Sequence, residues 1–123
     1  MKEELRRLPD SELEVMQAVW NCEAPIYRQD IEQHLHKEMA LTTLLTLLSR
    51  LAEKGYLQIE KEERRSCYMP LVSREEYQAI QSRRFFEQVF DGNVSAFAAA
   101  LCAGGIDEAD IRELKRLLEE GKL

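Results

Sequence analysis

The sequence predicts a mainly α fold with a small antiparallel β-hairpin: a winged helix-turn-helix domain followed by a C-terminal helical dimerisation tail. One helix face is marked by leucines that recur at i, i+3, i+4 and i+7, namely Leu44, Leu47, Leu48 and Leu51. After Gly55 apolar and polar residues alternate, as they do in a half-buried strand. Helical periodicity resumes after Ser73. We therefore predict one domain over residues 1–73 and a second over residues 74–123.

Length, composition and charge limit the possible functions. The chain has 123 residues, of which 45% are hydrophobic, so it can bury one core and a smaller satellite. Its first residues lack the apolar run of a signal peptide, and no stretch reaches the roughly 20 apolar residues of a membrane span. We therefore expect a cytoplasmic protein. The formal net charge of -6 argues against a nucleic-acid binder held by overall charge, so any such contact must be local.

The first domain is predicted to contain three helices, over about residues 10–21, 28–37 and 41–54. Asp10 or Ser11 is expected to cap the first helix, because Ser11 and Glu14 have the spacing of a capping box. The third helix turns its leucines to the core. The polar residues left on its outer side are Thr42, Thr43, Thr46 and Arg50.

A hairpin is predicted to follow the third helix. Gly55 is expected to end that helix in the left-handed conformation, and strands are predicted over residues 56–60 and 66–71. The second strand carries three apolar residues that can share one face: Cys67, Met69 and Leu71. The order helix, helix, helix, hairpin is the winged-helix arrangement.

The tail is predicted to begin with a capping box formed by Ser73 and Glu76, which opens a helix over about residues 74–90. Two shorter helices follow, separated by Gly104 and Gly105. Three amphipathic helices of this size make a marginal core, so we expect them to bury their apolar faces against a second copy of the chain. The predicted dimerisation residues are Phe85, Phe86, Val89, Phe90, Phe97, Leu101, Ile111, Leu114 and Leu118.

The sequence contains no pattern typical of an enzyme or a metal site. Its three cysteines are far apart in the sequence, and His34 and His36 point in different directions on a helix. No nucleophile, base and orienting group stand in a recognisable arrangement. We therefore expect no catalysis, no cofactor and no bound metal. Cys67 lies on the second strand of the predicted hairpin, where oxidation could disturb binding through the neighbouring surface.

Residues 41–57 read LTTLLTLLSRLAEKGYL, are preceded by SELEVMQAVW, and are followed at Tyr68 to Ser73 by YMPLVS. These segments, in this order and spacing, resemble the penicillinase-repressor family of winged-helix repressors of β-lactamase, resistance and copper-transport genes. The resemblance extends from about Leu8 to Leu118. It implies a homodimer whose paired third helices enter the major groove of an inverted-repeat operator near a promoter and repress transcription.

The resemblance also bears on regulation. Members of this family are often controlled by a membrane sensor protease that cuts the repressor at an Asn-Phe bond. The corresponding place here is near Ala100 and Leu101, so that pair is absent. Copper-responsive members carry two Cys-x-Cys pairs in the tail, whereas this tail has only Cys102. The resemblance therefore leaves the inducing signal open and does not support copper or zinc sensing.

The predicted third helix carries the chemistry that base reading requires. Threonine hydroxyls can bond base edges and their methyl groups can pack on thymine, while Arg50 can form a bidentate contact with guanine. Leu45, at the rim of the same face, can add an apolar contact. The predicted base-reading residues are Thr42, Thr43, Thr46 and Arg50. The predicted phosphate contacts from the second helix, the end of the third and the wing are Arg28, Lys54, Lys61, Arg64 and Arg65.

Two alternative functions remain open at this point. One is a winged-helix module that binds another protein. The other is a ligand-sensing regulator whose tail forms an effector pocket lined by four aromatic side chains: Phe85, Phe86, Phe90 and Phe97.

Overall fold

The computed structural model describes residues 6–121, so the part of the N-terminal prediction that concerns residues 1–5 lies outside the described residues. The elements are α1 (Asp10–Trp20), β1 (Ile26–Tyr27), α2 (Arg28–Gln33), α3 (Leu41–Glu53), β2 (Leu57–Lys61), β3 (Ser66–Pro70), α4 (Arg74–Phe90), α5 (Val94–Ala103) and α6 (Glu108–Glu119). The predicted fold class, mainly α with a small antiparallel hairpin, is confirmed. None of the helices within residues 6–121 is both long and apolar enough to cross a membrane.

The structure forms two compact units, of which the first ends at Gln81 and the second begins at Ser82. The division falls inside α4, whose first turns carry Tyr77 into the core of the first unit. The hydroxyl of Tyr77 accepts a hydrogen bond from the amide of Leu8 at 3.0 Å. The predicted boundary between functional domains, after Ser73, stays a prediction.

The first helix begins at Asp10, but the predicted capping box at Ser11 is wrong. Pro9 occupies the N-cap in an extended conformation, with φ -57° and ψ 156°, and its carbonyl accepts from the amide of Leu13 at 2.8 Å. Ser11 is therefore already inside the helix and cannot act as its cap. The apolar face of α1 is buried through Val15, Met16 and Val19.

The second helix is shorter than predicted, since it ends at Gln33 and not near Lys37. The imidazole Nδ1 of His34 lies 2.9 Å from the carbonyl oxygen of Asp30, the acceptor that the amide of His34 would use in a continuing helix. That amide donates to Ile31 at 3.0 Å instead, which tightens the last turn. His34 is thus the C-cap residue of α2.

The third helix has the predicted inner face, because Leu44, Leu47, Leu48 and Leu51 are all buried. It ends in a complete Schellman motif around Gly55, whose φ is +85°. The amide of Tyr56 donates to Leu51 at 2.9 Å, and that of Gly55 donates to Ala52 at 3.1 Å. The predicted left-handed end of the helix is confirmed, and it turns the chain directly into the hairpin.

The hairpin belongs to a three-stranded antiparallel sheet in the order β1-β3-β2. Strand β1 was not predicted, since two residues are too few to show a period. In β3 the inward side chain is Tyr68, which lies opposite Ile59 of β2. Met69 and Leu71 are 45% and 47% exposed, so the face that they share with Cys67 is the outer face of the strand. Tyr68 therefore belongs to the hydrophobic core, and the predicted apolar face of this strand does not.

The predicted capping box at the start of α4 is confirmed. The amide of Glu76 donates to the Ser73 hydroxyl at 3.0 Å, and the amide of Ser73 donates to the Glu76 carboxylate at 3.0 Å. The indole of Trp20 donates to the carbonyl of Val72 at 2.9 Å, just before this cap. These bonds fix the end of the winged-helix unit to its first helix.

Candidate nucleic-acid interface

The outer face of α3 presents its polar side chains to solvent. All four predicted base-reading residues are exposed: Thr42, Thr43, Thr46 and Arg50. Thr42, Thr46 and Arg50 are separated by four residues each, so they lie along one row of the helix surface. The buried leucines on the opposite side keep this row facing solvent, because rotation of α3 about its axis would expose these four leucines. The structure thus brings these predicted residues onto one surface.

The hydroxyl of Thr46 already has a partner within the helix. Its Oγ1 donates to the backbone carbonyl of Thr42 at 2.9 Å. The proton is therefore engaged, while the oxygen lone pairs and the methyl group remain free. In this conformation Thr46 can accept a hydrogen bond from a base amino group or contact a thymine methyl, but it does not donate.

A cleft of about 380 Å³ opens between the start of α2, the start of α3 and the wing, which is the turn of residues 62–65 between β2 and β3. Its lining includes Tyr27, Arg28, Leu41, Leu45, Arg64 and Arg65, and we call it the arginine cleft. The wing turn is closed by a 2.7 Å hydrogen bond from the amide of Glu62 to the carbonyl of Arg65. Three of the predicted phosphate contacts therefore converge on one concave surface.

The arginines of the cleft are held by neighbouring groups. The guanidinium of Arg65 stacks over the ring of Tyr27, 3.6 Å from its centroid, and forms a 3.6 Å ion pair with Glu62. Arg28 pairs with Glu32 at 2.9 Å one helical turn away. Both pairs are solvent-exposed, and such pairs contribute little to stability. The cations therefore remain available to a phosphate, and Tyr27 orients one of them.

Lys54 differs from the other predicted phosphate contacts. Its ammonium lies 2.5 Å from the carboxylate of Glu12, a side chain of α1 that is only 5% exposed. The amino group is therefore turned toward α1, and its predicted contact with DNA stays a prediction. By contrast, within residues 6–121 the cations of Arg50, Lys61 and Arg64 form no ion pair.

Sequence reasoning did not assign Tyr27 or Leu41 to this site. Tyr27 precedes α2 and pairs with Cys67 of β3, a long-range contact that no local pattern indicates. Leu41 and Leu45 are 44% and 41% exposed and lie one turn apart, outside the buried leucine stripe. Leu41, Leu44, Leu45 and Leu48 also follow the i, i+3, i+4, i+7 spacing, so the leucine pattern alone does not show that Leu41 is exposed.

The tail divides its predicted dimerisation residues into two groups. Half-buried side chains fill the second unit itself, namely Phe86, Phe90, Phe97 and Leu101. Phe97 makes edge-on contacts with Phe86 and Phe90, with ring centroids 5.5 and 5.2 Å apart. The other group is exposed and consists of Phe85, Val89, Ile111, Leu114 and Leu118. No residue between 82 and 121 is buried, so this unit lacks a core of its own within the single chain.

Comparison with known protein families decides the classification of the chain. The family model described as penicillinase repressor matches residues 8–120, which is nearly the whole chain. The chain belongs to the penicillinase repressor family. The resemblance inferred from residues 41–57 and their flanks is thereby confirmed.

Individual relatives agree with this membership of the penicillinase repressor family. The chain is 29% identical to the penicillinase repressor of Bacillus licheniformis, over 94% of this chain and 92% of the relative. It is 31% identical to the transcriptional regulator BlaI of Mycobacterium tuberculosis, over 94% and 86%. Among solved structures, the monomeric form of Bacillus licheniformis BlaI in complex with the blaP half-operator aligns with a TM-score of 0.49 and 30% identity, covering 60% of this chain and 92% of that one.

The cysteines of this penicillinase repressor family member occupy three separate environments: Cys22 and Cys67 are half-buried and Cys102 is exposed. Burial, with a smaller contribution from the charge of Asp30, raises the pKa of Cys22. Its thiol donates to the carbonyl of Ala18 at 3.2 Å. Within residues 6–121 no three histidine, cysteine or acidic side chains converge in a way that could hold a metal ion.

Proposed function

We propose that this chain is a transcriptional repressor that binds an inverted-repeat DNA operator as a homodimer. The observation that carries the proposal is the exposed polar row of α3 beside the arginine cleft. A major groove admits a helix, and the adjoining phosphates require cations on either side of it. The winged-helix unit offers both within one continuous surface, although the chain as a whole is acidic.

Each part of this surface has a separate role in the proposed complex. The row Thr42, Thr46 and Arg50, with Thr43 beside it, reads base edges in the major groove. The phosphate contacts come from the cations that surround this row: Arg28, Lys61, Arg64 and Arg65. Phosphate contacts position the protein without selecting sequence, so specificity comes from the row on α3.

The homodimer is supported by the apolar side chains of the tail. Phe85 and Val89 are 52% and 58% exposed and lie one turn apart on α4. Covering the exposed half of such a side chain is favourable by about 1 kcal/mol, and a second copy is the partner that supplies a matching surface. Two half-sites related by twofold symmetry then require an inverted repeat.

The proposed function can be tested by selecting duplexes from a random-sequence pool with the purified protein. We expect an inverted repeat to be enriched, and two chains to bind each duplex. Each chain offers six candidate cations, namely Arg28, Arg50, Lys54, Lys61, Arg64 and Arg65. Affinity should fall with salt, with a slope of log K against log salt of about -5 if roughly half of the twelve in a dimer contact phosphates. No enriched sequence, and equal weak binding to all duplexes, would point to a protein-interaction module instead.

Two substitutions separate phosphate contacts from base reading. Arg64→Ala should weaken binding to the selected and to random duplexes alike and should make the salt slope shallower by about 1 per subunit. Thr46→Ala should instead relax the preference at one position of each half-site. Arg112→Ala, which removes an exposed arginine of α6, is the matched control and should change neither. Equal loss on selected and random DNA for Thr46→Ala would exclude base reading by this residue.

The effector-pocket alternative is not favoured by the tail. Phe97 contacts the rings of Phe86 and Phe90 edge-on, which supports a packing role for these side chains. A sensor protease remains a predicted partner. Ala100 and Leu101 lie inside α5, where the carbonyl of Ala100 accepts from the amide of Gly104 at 2.8 Å, so cleavage there requires α5 to unwind first.

A further inference from the structure

We propose that Leu41 and Leu45 form a methyl-reading pair, which recognises the 5-methyl group of thymine in the operator and so determines part of its sequence. This inference rests on the proposed function, because it assigns a specificity role within the same DNA surface. It concerns two residues that carry no hydrogen-bonding side chain and yet lie on the outer side of α3.

The exposure of the pair is not a consequence of core packing. The leucines of this helix that pack into the core are between 0% and 4% exposed, namely Leu44, Leu47, Leu48 and Leu51. Leu41 and Leu45 are 44% and 41% exposed and lie at the rim of the outer face, beside the buried stripe. Being four residues apart, they form one short apolar strip along the helix.

The surroundings of the strip specify its occupant. Both leucines line the arginine cleft, and so do Arg28 and Arg64. A ligand that fits must therefore be apolar where it meets the leucines and anionic where it meets the arginines. The floor of a major groove meets both conditions, because a thymine methyl group projects into it and phosphates flank it on both sides.

Hydrogen-bond donation by Thr46 is also reduced, so apolar contact contributes more to the discrimination of bases beside this residue. The Thr46 hydroxyl, beside Leu45, donates to the carbonyl of Thr42. The proton of Thr46 is therefore engaged, whereas its methyl group is still available to contact a thymine. A cytosine at the same position would offer no methyl group to either side chain, so the contact distinguishes thymine from cytosine.

The test replaces single thymines by deoxyuridine in the duplex selected with the wild-type protein. Deoxyuridine keeps every hydrogen-bonding group of thymine and lacks only the 5-methyl group. At one or two positions of each half-site we expect the wild-type protein to bind about fourfold more weakly, the effect of leaving one methyl group unburied. With Leu45→Ala or Leu41→Ala the penalty at one of these positions should disappear, because the contact is already lost.

The matched control is Leu71→Ala. Leu71 is 47% exposed, so the substitution removes the same atoms at similar exposure, and it does not line the arginine cleft. This variant should retain the full deoxyuridine penalty. Leu45→Gln, which preserves the length of the side chain, is a second variant, and thermal unfolding of each protein shows whether the fold is intact.

The outcomes separate this inference from the function on which it rests. A deoxyuridine penalty that the α3 variants abolish and Leu71→Ala retains supports the methyl-reading pair. A preference for the selected duplex without any penalty overturns the inference and leaves the repressor function standing, as does a penalty that persists in both leucine variants. If the wild-type protein shows no sequence preference at all, the repressor function itself is contradicted.

Discussion

At the scale of single residues, the most consequential buried group is a carboxylate. Glu12 is 4% exposed and lies within the first unit, where an unpaired charge would be strongly unfavourable. Its partner is the ammonium of Lys54 at the end of α3. The pair therefore connects α3 to α1 at the end of α3 that is opposite to the arginine cleft.

Glu12→Gln is expected to lower the free energy of unfolding by about 1–2 kcal/mol, less than the loss of a fully buried pair because Lys54 is partly solvated. The substitution keeps the shape of the side chain and removes its charge. Urea denaturation measures the change. Glu53→Gln, at an exposed position beside Lys54, should change stability by less than about 0.5 kcal/mol. Equal effects of the two substitutions would mean that the ion pair contributes nothing.

The stacked pair of Tyr27 and Arg65 gives a second prediction at this scale. A double-mutant cycle of Tyr27→Leu and Arg65→Gln on the free energy of unfolding should reveal a coupling of about 0.5–1 kcal/mol, the range for a cation over an exposed aromatic ring. Tyr27→Phe retains the ring and should retain the coupling. Strict additivity of the two single substitutions would contradict an energetic role for the stack.

Local patterns predicted which side of α3 faces outward, but not the internal partners of its polar groups. The leucine spacing alone indicated that Thr42, Thr46 and Arg50 are exposed. The ion pair of Lys54 joins residues 42 positions apart, and no helix or strand period relates them. A prediction of phosphate contacts from charge and position cannot detect such a partner.

At the scale of elements, similar capping patterns had different outcomes. Ser73 and Glu76 form a capping box, whereas Ser11 and Glu14 have the same spacing and do not. The difference lies in Pro9. Its ring fixes φ, its backbone is extended, and it occupies the N-cap, so α1 has already begun when the chain reaches Ser11. The spacing of a capping box therefore predicts a helix start only where no earlier residue already acts as the N-cap.

The end of α3 yields a prediction for an element. Gly55→Ala should lower the free energy of unfolding by about 1–2 kcal/mol, because an L-residue is strained at a φ of +85°. A Cβ added at Gly55 would meet no heavy atom within 4 Å, so the cost comes from the backbone and not from a clash. Gly55→Asn should lose less, since asparagine tolerates this conformation. Denaturant unfolding measures the stability of the three proteins, which should decrease from the wild type to Gly55→Asn to Gly55→Ala. An alanine variant as stable as the wild type would contradict this prediction.

At the scale of the whole molecule, the tail is predicted to pair two chains. Val89→Glu places a charge on an exposed apolar row and should weaken dimerisation at least about 100-fold, since an unpaired charge cannot be buried in an apolar interface. Sedimentation at micromolar concentration should then detect monomers, and affinity for the inverted repeat should fall. Gln17→Glu adds a charge at an exposed position of α1 and should leave the dimer intact. A dimeric Val89→Glu protein would place the interface elsewhere.

The distribution of buried residues also affects how the repressor responds to its own abundance. All of the buried core described here lies between Leu8 and Tyr77. Folding of that unit is therefore a first-order event within one chain, whereas covering the tail in the proposed homodimer would require an encounter between two chains. Where dimers are scarce, operator occupancy then varies with the square of repressor concentration, so that halving synthesis lowers occupancy about fourfold. Dilution during growth would sharpen the release of the operator without any ligand.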